Sequence, residues 1–307
     1  MGLALSTSWN AFRYENGRKL LFEIKKLGFE EAELSFNLTA SIIKDIEKAV
    51  NEGLIKIVSL HNYCPIPADL DRDEALPDCY SMSSTYEEER ALAVRFTKKT
   101  IDTASVLGGK AVVLHCGRVE MEDETRSLIH LRKRGPEEDN NFKALRDTVI
   151  KKRAQLSHVF LENALKSLEE INSYAQKKNI LLGVENRFYY REIPSQDEMG
   201  IILNKFAGSN IFYWHDTGHA QLTENLGFCF HKDYLDRYGK SLIGIHLHDI
   251  ARFQDHLAPG KGELDFSIFT PYLKKETIKV IEAHQPATKN EVISAKILLE
   301  DIYGAVI

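Results

Sequence analysis

ILLGVENR (Ile180–Arg187), IFYWHDTGH (Ile211–His219), LIGIHLHD (Leu242–Asp249) and KVIEAH (Lys279–His284) are four short apolar runs that close on side chains of metal-ligand type. The first closes on Glu185, the second on Asp216 and His219, the third on His246, His248 and Asp249, the last on Glu282 and His284. Glu185 and Asp216 lie 31 residues apart, Asp216 and His246 30, His246 and Glu282 36. Each interval holds about one strand, loop and helix. A carboxylate or imidazole at the C-terminal end of successive strands is how a (β/α)8 barrel assembles a site.

The chain before Ile180 supplies the remaining strands and the helical jacket. Strand-like runs lie at LALSTS (Leu3–Ser8), AELSF (Ala32–Phe36), IKIVSLHNY closing at His61, and KAVVLHCG closing at His115. Helical periodicity fills the intervals: Leu20, Leu21, Ile24 and Leu27 share one face, and Ile42, Ile46, Ala49 and Val50 share another. Thr85 and Glu88 have capping-box spacing, as do Ser195 and Glu198, and Asp265 reads as an N-cap. The longest helix is expected from about Thr148 to Lys178. Eight strands alternating with helices imply a parallel sheet, and eight units favour closure: an α/β, single-domain TIM barrel over residues 1–307. No G-x-G-x-x-G follows the first strand, which removes the main support for a dinucleotide-binding fold. Two mouth loops are expected, at about 64–84 (three prolines, several aspartates) and 117–147, the latter a charged, solvated excursion.

Composition narrows the partners. The 307 residues carry a net charge of −5 and no run of membrane-spanning length, so nucleic acid and membranes are not the expected partners. Acids dominate the loop after His61, with Asp69, Asp71, Asp73, Glu74 and Asp78 against Arg72. Cys64, Cys79, Cys116 and Cys229 form no C-x-x-C pair, which suits a reduced, cytoplasmic protein. MGLALSTSWN lacks the basic and long apolar parts of a secretory signal. Its loose myristoylation pattern at Gly2 and Ser6 competes with Leu3 and Leu5 reading as buried strand.

Side chains alternate across a strand, so His246 and His248 point one way, as do Glu282 and His284. In a barrel, His61, His115, Glu185, Asp216, His246 and Glu282 then converge on the axis. Taken singly, each is more simply a satisfied polar group. Their number carries the case, because three crowded acids repel unless a cation neutralises them. The mixed N/O donor set suits Mn2+ or Zn2+ first, with Mg2+ or Co2+ as alternatives. His215 has the opposite parity to Asp216 and reads as structural; His130, His158 and His231 read as solvated. Trp9, Trp214 and Phe188 are either an apolar wall for substrate or core, with core favoured for Trp214.

SLHNY, VVLHCG, GVENR, HDTGH, GIHLHD, HLAPGKGELDF and VIEAH, in this order, resemble the xylose isomerase-like TIM-barrel superfamily of sugar isomerases, 3-epimerases, inosose dehydratases and endonuclease IV. The resemblance implies a metal site of Glu185, Asp216, His246 and Glu282. It also implies that Glu185 and Glu282 exchange the proton of a sugar or sugar-derived substrate beside a metal-polarised carbonyl. Arg187 is a candidate substrate contact or a rim ion pair, and His248 a substrate or second-layer contact. Gly260 and Gly262 are expected to let backbone close on the substrate. The endonuclease IV branch offers a second reading, a zinc phosphodiesterase acting on abasic DNA. There His61 and His115 would join Glu185, while His219 and His256 would hold a further zinc. This chain has adjacent Asp255-His256 where that branch has Asp-x-His, with Gln254 at the partner position. A non-catalytic sugar-binding barrel is the third reading, which fold alone does not exclude. Association into a homo-oligomer through outer helices is left open.

Overall fold

The computed structural model describes residues 2–135 and 139–307. The strands, in chain order, are β1 (Leu3–Ser6), β2 (Glu31–Leu34), β3 (Lys56–His61), β4 (Ala111–Leu114), β5 (Leu181–Glu185), β6 (Ile211–Asp216) and β7 (Leu242–Leu247). A small antiparallel hairpin, β8 (Asp249–Ala251) with β9 (Gln254–Leu257), precedes β10 (Ile278–Ile281). Each barrel strand pairs in parallel with its neighbour in sequence, and β1 pairs with β10 to close the ring. Closure leaves no barrel strand with an unpaired edge. The eight-stranded barrel expected from the sequence is therefore the fold, with the hairpin inserted where a loop was expected.

Nine α-helices lie among the described residues: α1 (Gly17–Lys26), α2 (Ala40–Asn51), α3 (Glu87–Leu107), α4 (Thr125–Arg134), α5 (Asn140–Lys178), α6 (Gln196–Lys205), α7 (Thr217–Asn225), α8 (His231–Tyr238) and α9 (Lys289–Tyr303). Their starts are chemically marked. Asn16 accepts from Lys19 N at the head of α1, and Ser195 with Glu198 forms the expected capping box of α6. Asp265 accepts from Ser267 N as the cap of a 3-10 turn. The Thr85–Glu88 box does not form: α3 starts at Glu87 after Tyr86, whose backbone N–H donates instead to Ser84 Oγ.

Of the two mouth segments, the one at 64–84 is the loop expected and the one at 117–147 departs from expectation. Among its described residues the latter holds α4 and the first turns of α5, which starts at Asn140 under an Asp139 cap. Leu128 and Phe142 are buried there against Leu222 and Ile250, so an apolar stripe anchors a segment that reads as uniformly charged. Residues 64–84 are irregular apart from a 3-10 turn at Arg72–Glu74. Arg72 ties that loop down by donating to the carbonyls of Ala11 (2.7 Å), Asn37 (3.0 Å) and Tyr14 (3.1 Å).

The barrel interior fixes the floor of the site. Trp214 points inward from β6 and fills the centre with Ala4, Val58, Ala111, Val113, Ile278 and Val280. Its indole fits because the two strands beside β6 carry glycine: a Cβ on Gly244 of β7 would fall 2.1 Å from the ring, and one on Gly183 of β5 2.7 Å. Trp9 is also core, its indole N–H donating to the Ala287 carbonyl at 2.9 Å. Neither tryptophan forms a substrate wall.

Candidate metal centre

Glu185, Asp216, His246 and Glu282 sit at or just past the C-terminal ends of β5, β6, β7 and β10, so the barrel axis gathers them above Trp214. Each offers a donor atom, and the four donors lie within 4.8 Å of one another. His246 is the hub. Its Nδ1 lies 2.5 Å from Glu185 Oε1 and 2.9 Å from Glu282 Oε2, with Asp216 Oδ2 at 3.8 Å. All four are buried.

The electrostatics are those of acids packed around one imidazole. Burial alone would raise the carboxylate pKa values, but the His246 charge outweighs it and holds Glu185 and Glu282 well below the usual range. Burial likewise opposes protonation of His246, and Glu282, Glu33 and Glu185 together push its pKa well up. Glu185, Asp216, Glu282 and the Nδ1 lone pair of a neutral His246 would hold a divalent cation, which would supply the positive charge these acids otherwise draw from the imidazole. The three-oxygen, one-nitrogen set thus fits a Mn2+- or Zn2+-type ion.

Glu33, on β2, is a functional side chain that motif reasoning did not find. Its Oε1 lies 3.0 Å from His246 Nε2, and its Oε2 accepts from Ser59 Oγ at 2.7 Å. With Nε2 donating to Glu33, Nδ1 is left free to bind a cation, the usual carboxylate–histidine–metal arrangement. The only sequence signal was an acid within the short strand-like run AELSF.

Three further groups among the described residues share an acid with the centre: one on Glu185, one on Asp216, and a third of His256, Glu282 and His284. His61, His115 and Glu185 bring donors within 4.8 Å of one another, and so do Asp216, His219, His248 and His256. In the first, His115 Nε2 lies 2.8 Å from Glu185 Oε2, and Asp78 from the acidic loop reaches within 3.6 Å of His115 Nδ1. Burial and Arg187 pull the His115 pKa down, but the nearby Asp78 and Glu185 carboxylates leave it raised. His61, with no such partner, is pushed down to about 3 by burial and His115. In the second group, His248 Nε2 sits 2.8 Å from Asp216 Oδ1 and its pKa is raised against the cost of burial. His219 is lowered to about 4 by burial. His256 stacks between His248 (4.1 Å) and His284 (3.9 Å), with Asp255 2.7 Å from its Nδ1.

Several expectations change at this point. Arg187 is committed to protein acids: Nη1 donates to Glu185 Oε2 at 2.6 Å and Nη2 to Glu192 Oε1 at 3.1 Å. It pairs at the barrel rim and also lines the cavity above the centre. The Gly260–Gly262 turn closes on Asp249, whose Oδ2 accepts from both glycine N–H groups (2.9 and 2.7 Å), so its tight backbone serves a carboxylate of the chain. His231 is buried rather than solvated. It opens α8 with its Nε2 3.0 Å from His215 Nε2, and His215 in turn bonds the Tyr213 hydroxyl at 2.6 Å. His215 thus faces the jacket, as its parity required, while His130 and His158 are exposed.

A cavity of about 330 Å3 opens onto the centre, within the range of small-molecule sites. Phe36, Pro77 and Phe188 form its apolar wall, and Glu185, Glu282, His219 and His256 its polar one. Phe188 is the member of the expected aromatic wall that takes this role.

Fold and site together define a (β/α)8 barrel with a buried carboxylate–histidine cluster at its C-terminal mouth. The chain belongs to the xylose isomerase-like TIM barrel family, whose model matches residues 21–297. An uncharacterized protein of Methanocaldococcus jannaschii, MJ1614, is 28% identical over 211 residues, a match spanning 66% of this chain and 65% of that protein. Among solved structures, a D-tagatose 3-epimerase-like protein superposes with a TM-score of 0.68 at 20% identity, covering 100% of this chain and 98% of the other. D-allulose 3-epimerase from Methylomonas sp., in complex with D-allulose, gives 0.67 at 17% identity over 99% and 96%. Among the described residues no helix is long and apolar enough to cross a membrane.

Proposed function

We propose that the protein is a metal-dependent sugar isomerase or epimerase that moves a proton beside a carbonyl. One observation carries this reading: of the four central groups, Glu185 and Glu282 are the two that also line the cavity. Both approach His246 Nδ1, at 2.5 and 2.9 Å, so a substrate above the cluster meets two carboxylates. A divalent cation held by Glu185, Asp216, His246 and Glu282 would polarise the substrate carbonyl and its neighbouring oxygen, acidifying the C–H between them. One glutamate takes that proton and the other returns one, which is the chemistry paired carboxylates support. Asp216 and His246, buried beneath, hold the cluster's geometry. The Phe36, Pro77 and Phe188 wall limits water at the reacting carbon.

The test is exchange of substrate C–H for deuterium in D2O, followed by proton NMR on a panel of ketoses, aldoses and inososes. Wild type should exchange a proton next to the carbonyl. Glu185→Gln and Glu282→Gln should each lower exchange at least about 1000-fold while remaining folded by circular dichroism at the assay temperature, since each removes one partner of the acid–base pair. Retained exchange in either variant would sink the assignment.

The flanking His61–His115–Glu185 and Asp216–His219–His248–His256 groups favour a second reading, a multinuclear zinc centre that activates water against a phosphodiester. Elemental analysis separates the two. About one ion per chain supports proton transfer; two or three zinc ions per chain, with cleavage of abasic DNA, supports hydrolysis.

A further inference from the structure

We propose that the substrate carries an anionic oxygen group, a phosphate or a carboxylate, and that Arg126 at the lip of the cavity selects it. This rests on reading the cavity as a sugar site. The argument is one of charge left over once the other groups are paired. Two arginines line the cavity, Arg126 and Arg187. Arg187 is consumed by Glu185 and Glu192. Asp255, the third acid in the lining, is held by His256 at 2.7 Å. Arg126 makes no ion pair with a carboxylate among the described residues, and Asp123 and Asp255 act on it only at longer range. Its partner is a neutral one: Nη2 donates to the Tyr189 hydroxyl at 2.7 Å, with the guanidinium 5.7 Å from that ring.

The side chain is also aimed by a fixed element. Arg126 lies in the first turn of α4, whose Thr125 is buried and accepts from Tyr190 N at 3.0 Å, and whose Leu128 is buried in the apolar cluster below. Helix and Tyr189 loop are thereby bolted together, and the guanidinium is held at the mouth with most of its donors free. Guanidinium presents a planar fork that matches phosphate and carboxylate oxygens. A neutral sugar gives such a group nothing that water does not. The reacting end of the substrate therefore sits at Glu185 and Glu282, and the anionic end at Arg126.

Calorimetric titration of the full-length protein as purified, at constant ionic strength, tests this with D-ribulose, D-ribulose 5-phosphate and D-ribonate, alongside deuterium exchange on the same compounds. Wild type should bind at least one of the anionic compounds about 10- to 100-fold more tightly than the neutral ketose, the span of charge-assisted hydrogen bonds. Arg126→Gln should bring the affinities together, and Arg126→Lys should keep part of the difference. A phosphate preference without a ribonate preference identifies a sugar phosphate, and the reverse identifies a sugar acid. Equal affinities in wild type, or a preference that survives in Arg126→Gln, overturns the proposal. An Arg126-dependent preference without exchange on any sugar keeps this inference and overturns the proton-transfer reading. Exchange without a preference does the opposite.

Discussion

Glu33→Gln and Glu33→Ala probe the centre through a residue that touches none of the cavity. Glu33 is buried, with its Oε1 and Oε2 at 3.0 and 3.2 Å from His246 Nε2 and Ser59 Oγ donating to it at 2.7 Å. A cation at the centre needs the His246 proton on Nε2, away from the acids, and Glu33 is the acceptor that keeps it there. Losing such a partner weakens metal binding by about 10- to 100-fold, or roughly 1.4–2.8 kcal/mol. Gln keeps an acceptor and loses the charge, so it belongs near the lower limit. Ala also leaves the Ser59 hydroxyl and His246 N–H unpaired in the interior, a further cost to folding of about 1–3 kcal/mol. Competition for Mn2+ and Zn2+ against a fluorescent chelator gives the dissociation constants, and urea denaturation of the metal-free proteins gives the stability. The expected order of affinity is wild type, then Gln, then Ala. A Glu33→Ala protein that binds metal within two-fold of wild type would refute the role given to Glu33.

Gly244→Ala should destabilise the barrel, because the new methyl falls 2.1 Å from Cζ3 of a Trp214 ring that is packed on all sides. Overpacking of this kind costs about 1–3 kcal/mol, readable as a lowered thermal midpoint, and an unchanged midpoint would mean that the interior yields more easily than its packing implies. Acid should weaken the fold through His231, whose pKa burial lowers to about 4. A buried neutral histidine takes up its proton later than an unfolded one, so the unfolded state binds more protons between about pH 6.5 and 4, and stability falls as pH falls through that window. From this group the loss at pH 4.5 is about 2–3 kcal/mol, and His231→Gln should remove that part of the pH slope in urea titrations. A variant with the wild-type slope would count against it.

The barrel was legible because each of its strands is an apolar run between helical periodicities, and buried parallel strands read that way. Glu185, Asp216, His246 and Glu282 were legible because each closes or follows such a run at a near-constant interval. What could not be read depends on contacts far apart in the chain. Glu33 sits 213 residues from His246, in a strand where one acid looks like ordinary alternation. Asp78 lies in an irregular loop whose course toward His115 no local rule supplies. His231 begins HKDYLDRY, so charged that solvation was the natural reading, yet the partner that buries it is His215 on β6. Arg187 reads equally as a rim ion pair or a substrate contact, and the structure gives it both a partner at the rim, Glu192, and a place in the cavity lining.

The same shared acids explain why motifs alone leave two chemistries standing. Glu185 belongs both to the central four and to the His61–His115 group, and Asp216 both to the central four and to the His219–His248–His256 group. Motifs that read as one ion site therefore read equally well as three. Protons divide them. Burial opposes the charge on His115 and His248, yet their carboxylate partners raise both pKa values, and each imidazole sits within hydrogen-bond reach of an acid oxygen that a flanking ion would need. An ion at any of the three groups must displace a proton that carboxylates hold on an imidazole, His246 at the centre and His115 or His248 beside it, so loading at each rises with pH. A metal count taken across a pH series therefore divides the readings. One ion per chain at every pH leaves the flanking histidines as hydrogen-bond partners of the central ligands, and a rise to two or three ions makes them ligands themselves.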